Sequence, residues 1–172
     1  MTARPVCVLV GAPGAGKTTV GGLVAQALGV TFRDTDTDIE MAAGKPIPEI
    51  FIDDGEERFR ELERAAVATA LESFDGVLAL GGGAILAEAN RAALAGHRVV
   101  YLCVQLGDAV QRVGLGQGRP LLTLNPRATL RHLLDQRRPL YESVATVVVP
   151  TDGRSADEVA EAVLLSIGST PP

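Results

Sequence analysis

Short apolar runs alternate with amphipathic stretches along the whole chain. Residues 6–10, 77–80, 98–104 and 144–149 are nearly unbroken apolar runs rich in β-branched residues, and residues 30–33 form a briefer one. Runs of this length, bounded by glycine, proline or polar clusters, predict strands buried on both faces. The stretches between them predict helices. One follows Thr18 and runs to about Leu28, where Gly29 stops it. The capping box Thr37-Asp38-Ile39-Glu40 opens another that ends near Gly44, after which Pro46 and Pro48 break the pattern. Asp54-Gly55-Glu56-Glu57 caps a long helix to about Ser73. Further helices are predicted over about 87–95, near 108–113 and over about 127–138, the last ended by Pro139. A second capping box, Ser155-Ala156-Asp157-Glu158, opens a final helix to about Ile167. Residues 114–126 hold three glycines and two prolines and predict a loop.

Strands that alternate with helices throughout predict an α/β fold, a parallel sheet with helices on both faces. No repeat or linker divides the chain, so residues 1–172 are expected to form a single domain. In such sheets ligands bind beyond the carboxyl ends of the strands. The loops beginning at Gly11, Asp34, Gly81 and Gly107 are therefore expected to share one rim.

Composition narrows this picture. The 172 residues are 47% apolar and 22% charged, ordinary for a globular domain with a sizeable core. Residues 168–172 read as a frayed tail. Cys7 and Cys103 both sit in apolar runs and read as core thiols of a reducing compartment. No apolar run approaches a membrane span, and the N-terminus does not resemble a signal peptide, so a cytoplasmic protein without membrane contact is expected. A net charge of −5 and six aromatics, none of them Trp, disfavour nucleic-acid binding. Low aromatic content without an obvious apolar stripe points to a monomer. His97 and His132 read as structural.

The charge is unevenly spread. Residues 34–63 carry eleven acids against Lys45, Arg58 and Arg60, while residues 112–138 carry six arginines against Asp135. Either these are two solvated faces, or the basic stretch meets phosphates and the acidic one a metal or hydroxyls.

Gly11-Ala12-Pro13-Gly14-Ala15-Gly16-Lys17-Thr18 fits G-x-x-x-x-G-K-[ST] between a predicted strand and a predicted helix. A chain of this composition matches the pattern by chance roughly 0.2% of the time, so residues 11–18 are read as a phosphate loop. Its glycines let successive N–H groups turn toward phosphates, and the helix N-terminus adds partial positive charge. Lys17 is expected to reach the β- and γ-phosphates and Thr18 to ligate Mg²⁺, with Gly14, Ala15, Gly16 and Thr19 completing the contact to ATP. The chain has two lysines against fourteen arginines, yet uses lysine here, where a compact point charge suits phosphate oxygens.

The GTPase base-reading motif is absent. Asp34 stands at the end of the second predicted strand and Asp36 two residues on. In extended chain that spacing turns both carboxylates to one side, one for Mg²⁺ and one for a substrate hydroxyl. Asp36 alone also fits a plain helix cap before Thr37. Three consecutive glycines, Gly81-Gly82-Gly83, exceed what one turn needs and suit close backbone approach.

Asp34-Thr35-Asp36, Phe59-Arg60, Gly81-Gly82-Gly83, Arg119-Pro120-Leu121-Leu122 and Arg137-Arg138-Pro139-Leu140-Tyr141 follow the phosphate loop in this order. Together they resemble the shikimate kinases, small members of the nucleoside-monophosphate-kinase-like phosphate-loop proteins, over about residues 6–167. The resemblance implies a five-stranded parallel sheet in the order 2-3-1-4-5. It also implies transfer of phosphate from ATP, with Mg²⁺, to the 3-hydroxyl of shikimate, a step toward chorismate and the aromatic amino acids. By the same resemblance Asp34 belongs to the metal site with Thr18, and Asp36 to the substrate hydroxyls. Arg60 and Arg137 clamp the substrate carboxylate, and Gly81, Gly82 and Gly83 offer backbone contacts. Arg119 is the lid arginine that reaches ATP, within a lid of about 112–126. Arg112 and Arg154 belong near the adenine, and residues 34–63 form the acceptor-binding region. The pattern Arg-x-Pro-Leu-Tyr selects Arg137 over Arg138. Leu80 and Ala79 precede the glycines where many relatives have Ser or Thr nearby. A gluconate or nucleotide kinase of the same fold, and a nucleotide-sensing regulator, are the rival readings.

Overall fold

The computed structural model describes residues 4–104 and 126–169. In chain order these form β1 (Cys7–Val10), α1 (Lys17–Leu28), β2 (Phe32–Asp34), α2 (Thr35–Ala43), α3 (Ile47–Asp53), α4 (Gly55–Ser73), β3 (Val77–Ala79), α5 (Glu88–Ala93), β4 (Val99–Cys103), α6 (Pro126–Val144), β5 (Val147–Pro150) and α7 (Ala156–Ser169). The strands make one parallel sheet in the order β2-β3-β1-β4-β5, as expected.

β1 is central and fully buried, pairing Val8 with Leu78 on one side and with Val99 on the other. Because side chains alternate across a strand, β1 feeds two cores. Cys7 and Leu9 pack with Val20 and Val24 of α1 and Val159 and Val163 of α7. Val8 and Val10 pack with Val67 and Leu71 of α4 and Tyr141 of α6. Burial pushes the Cys7 thiol up to about 12, which keeps it an inert core group. A third, smaller cluster of Ile39, Ile50 and Phe59 holds α2, α3 and α4 together.

Several boundaries differ from the sequence expectation. β2 starts at Phe32, and α2 starts at Thr35 with Asp34 as its cap, so the Thr37 box does not open it. The segment holding Pro48 is helical: Pro48 lies in the first turn of α3, where a missing N–H costs nothing. Glu40 Oε2, freed from the expected box, accepts the Ile47 N–H at 2.9 Å and satisfies the start of α3. Pro139 does not end its helix; α6 runs through it to Val144. Residues 84–86 form a 3-10 turn, and α5 is confined to Glu88–Ala93. The final capping box is present: Ser155 Oγ accepts the Glu158 N–H at 3.1 Å, and Glu158 Oε1 accepts the Ser155 N–H at 3.3 Å. The predicted helix near 108–113 and the lid of about 112–126, apart from Pro126 itself, lie outside the described residues. Among the described residues, no helix is long and apolar enough to cross a membrane.

Candidate active site

β1 delivers the phosphate loop to the carboxyl edge of the sheet. Gly14 and Gly16 hold left-handed backbone at φ 85° and 92°. A Cβ on Gly11 would stand 2.6 Å from the Leu102 carbonyl oxygen of β4, so the loop can leave the sheet this tightly only with glycine there. Gly16 caps α1 without a side chain, which leaves that helix end open toward an anion. Lys17 Nζ folds back over the loop and donates to the carbonyls of Gly11 at 2.7 Å and Ala12 at 3.1 Å.

Thr18 Oγ1 donates to Asp34 Oδ2 at 3.4 Å, bringing the first turn of α1 to the end of β2. Burial is the main cause that raises the Asp34 carboxyl, and the neighbouring Asp36 charge adds to it. The Asp36 N–H, Lys17 and Thr18 pull the other way. A hydroxyl and a carboxylate side by side are a hard-oxygen pair of the kind Mg²⁺ uses when phosphates and waters supply the rest of its shell.

The acceptor side is built from four elements. Asp34 Oδ1 accepts the Asp36 N–H at 2.9 Å, so the capping role weighed for Asp36 belongs to Asp34. Asp36 lies in the first turn of α2 rather than in extended chain, and the alternation argument for the pair does not apply. Its carboxylate instead reaches the loop after β3. A Cβ on Gly81 would be 2.5 Å from Asp36 Oδ1; one on Gly82 would be 2.8 Å from the Pro13 ring; one on Gly83 would be 2.6 Å from Arg60 Nη1. None of the three has a left-handed backbone. Close approach, not turn geometry, is what uses these glycines, and each abuts a different part of the site.

Arg60 Nη1 donates to Glu63 Oε1 at 2.8 Å and Nη2 to Glu56 Oε1 at 3.5 Å, with the guanidinium 5.2 Å above the Phe59 ring. Arg137, on α6, is 5% exposed. Glu63 is 1% exposed. Burial dominates the rise of its carboxyl; Arg60 and Arg137 oppose it and Asp36 reinforces it. These four charges therefore form one cluster. The charge of Arg137 bears on Glu63, and that of the adjacent Arg138 bears on Tyr101.

No sequence motif singles out Glu63, which is one of the eleven acids of residues 34–63. The usable signal was its place on the stripe Phe59, Glu63, Val67, Ala70, the buried face of α4. Tyr141, one turn after Arg137, is marked in the sequence only by the Arg-x-Pro-Leu-Tyr pattern. Its hydroxyl donates to the Gly82 carbonyl, and its ring stacks on Tyr101 at 5.0 Å.

Beside the phosphate loop an open cleft of about 210 Å³ is lined by Gly16, Thr19, Val20, Thr151, Arg154 and Val159, among others. Arg154 Nη1 donates to the Pro150 carbonyl at 3.1 Å, which holds it at this cleft. Arg112 and Arg119 lie outside the described residues.

A phosphate loop facing a buried arginine–carboxylate pocket across one sheet edge is the arrangement of a small phosphate-loop kinase. The shikimate kinase family profile matches residues 13–168. The chain belongs to the shikimate kinase family. It is 70% identical to the shikimate kinase of Salinispora arenicola over 156 residues, 91% of this chain and 93% of that one. It is 58% identical to that of Thermobifida fusca, covering 95% of each. A solved shikimate kinase from Acinetobacter baumannii, in complex with shikimate, superposes with a TM-score of 0.89 at 40% identity, covering 97% of this chain and 94% of that one. A gluconokinase from Sinorhizobium meliloti shares the fold, with a TM-score of 0.60 at 22% identity over 96% of this chain and 91% of that one.

Proposed function

We propose that this kinase moves the γ-phosphoryl group of ATP to the 3-hydroxyl of shikimate, with the side chains described above in the following roles. The observation that carries the assignment is the approach of Asp36 and Arg60 to the glycine triplet next to the phosphate loop, with Glu63 and the charge of Arg137 in the same cluster.

Lys17 exchanges its loop carbonyls for the β- and γ-phosphates as nucleotide enters, and the open end of α1 receives them. Thr18 and Asp34 are the residues that would hold Mg²⁺, which when bound neutralises charge on the phosphates. Asp36 accepts a hydrogen bond from the acceptor hydroxyl and can take its proton. Arg60 and Arg137 bind the far carboxylate, for which two planar guanidinium groups are well suited. Their charge is partly matched by Glu63, which accepts from Arg60 and whose carboxylate feels the charge of the buried Arg137. Arg154, Gly14, Ala15, Gly16 and Thr19 serve the nucleotide. Arg119 is assigned to the transferring phosphate and Arg112 to the adenine on the family resemblance alone. The same reading makes the enzyme a cytoplasmic monomer that acts on these two small molecules, without nucleic acid or membrane.

The test is coupled ADP release with ATP·Mg²⁺ and a panel of shikimate, gluconate, AMP and CMP. Shikimate alone is expected to drive turnover. Faster turnover with gluconate or a nucleotide would overturn the acceptor assignment and leave the phosphate-loop roles intact.

A further inference from the structure

The peptide between Gly82 and Gly83 is held from a direction the reaction scheme does not use. Tyr141 is 1% exposed, and its hydroxyl donates to the Gly82 carbonyl. That peptide is trans, so the Gly83 N–H points opposite to the Gly82 carbonyl, away from Tyr141. Gly83 itself lies against the Arg60 fork, where a Cβ would be 2.6 and 2.7 Å from its two terminal nitrogens.

The neighbouring groups are occupied. The Gly81 N–H donates to Thr35 Oγ1 at 3.3 Å, and the Gly81 carbonyl accepts from the Ala84 N–H at 3.0 Å. Gly82 and Gly83 are buried, and among the described residues neither N–H has a hydrogen-bond acceptor. Buried N–H groups seldom go unpaired, so a ligand atom is the natural acceptor. Glycine peptides rotate more freely than any others, so an N–H presented this way needs an external reference.

We propose that Tyr141 is a positioning residue for the acceptor carboxylate: by holding the Gly82 carbonyl it aims the Gly83 N–H into the site beside Arg60. Arg137 and Tyr141 are four residues apart on α6 and so share one helix face. One helical turn thereby sets both a guanidinium and, through Gly82, a backbone donor for the same anionic group. This deepens the functional reading above and rests on it.

The test compares shikimate with its carboxamide, which keeps the ring and hydroxyls but lacks the negative charge. Tyr141→Phe retains the ring that stacks on Tyr101. It is expected to weaken shikimate binding about tenfold, the scale of one hydrogen bond to a charged group, with carboxamide binding and the KM for ATP unchanged within twofold. Tyr101→Phe, which deletes the other hydroxyl of the stacked pair, should leave both ligands within twofold. Equal losses for the two ligands, or no loss for shikimate, overturn the proposal. If Tyr141→Phe does not fold, Tyr141→p-aminophenylalanine, which restores a donor, carries the comparison: an intact preference for the carboxylate supports the proposal and a lost one overturns it. Wild-type enzyme that fails to phosphorylate shikimate sinks the functional reading instead.

Discussion

Gly83→Ala isolates the contact between the glycine triplet and the arginine clamp. Gly83 sits at φ −97°, ψ 1°, a backbone that alanine adopts, so the substitution acts through its methyl group alone. That methyl would lie 2.6 Å from Arg60 Nη1, 2.7 Å from Nη2 and 3.0 Å from Cζ. Restoring van der Waals contact near 3.5 Å requires the guanidinium to retreat by about 1 Å. Arg60 is held where it is by Glu63 at 2.8 Å and by the Phe59 face, so the retreat breaks its alignment. A misplacement of about 1 Å costs on the order of 10²-fold, or about 2.7 kcal/mol of transition-state stabilisation. Steady-state kinetics with shikimate varied at saturating ATP should show that loss in kcat/KM, with the KM for ATP within twofold. Gly22→Ala is the matched control. A Cβ there meets nothing within 4 Å, and alanine in mid-helix adds about 0.8–1 kcal/mol, raising Tm by about 2–4 °C with activity unchanged. A Gly83→Ala enzyme within threefold of wild type would refute Arg60 as the acceptor clamp.

Lys17→Ala should lower turnover more than tenfold while the fold survives; retention of a tenth of the activity, a loss of about 1.4 kcal/mol, would refute its phosphate role. Arg60→Ala and Arg137→Ala should each cost shikimate affinity about 2–5 kcal/mol by titration, non-additively, and Arg138→Ala much less; a damaging Arg138→Ala would shift the motif register by one. Asp34→Asn keeps the cap of α2 but removes a carboxylate that burial and Asp36 disfavour. It should raise Tm at pH 7 and abolish activity, and a lowered Tm would count against it. Burial raises the Glu63 carboxyl above its ordinary 4.5, so its contribution to stability is complete below that value and is lost as pH rises through the folded pKa. Glu63→Gln does not titrate, so its stability relative to wild type should improve from pH 4 to 8 in thermal unfolding. A difference that worsens with pH contradicts the assignment.

The sheet, its order and the phosphate loop were legible because each rests on a local pattern or an ordered set of motifs. What escaped depends on contacts between distant segments. Asp34-Thr35-Asp36 reads as extended chain, yet the Asp34 cap starts the helix one residue later. Pro139 ends a helix by local rules. Here packing of Arg137 and Tyr141 on either side keeps α6 continuous at the cost of one backbone bond. Glu63 looks like a surface acid until Arg137, seventy-four positions later, arrives beside it.

The third cluster, Ile39, Ile50 and Phe59, is separate from the two cores that flank the sheet. So small an apolar unit can open without unfolding the rest, and hydrogen exchange should find α2 and α3 less protected than β1 or β3. Asp36 on α2 and Arg60 on α4 stand together while this unit is folded. The apparent affinity for the acceptor is then the intrinsic one reduced by the fraction of molecules in which this unit is folded. Substitutions at Ile39 or Ile50 can therefore retune acceptor affinity without touching the ligand, while the nucleotide half, anchored in the main sheet, goes unchanged.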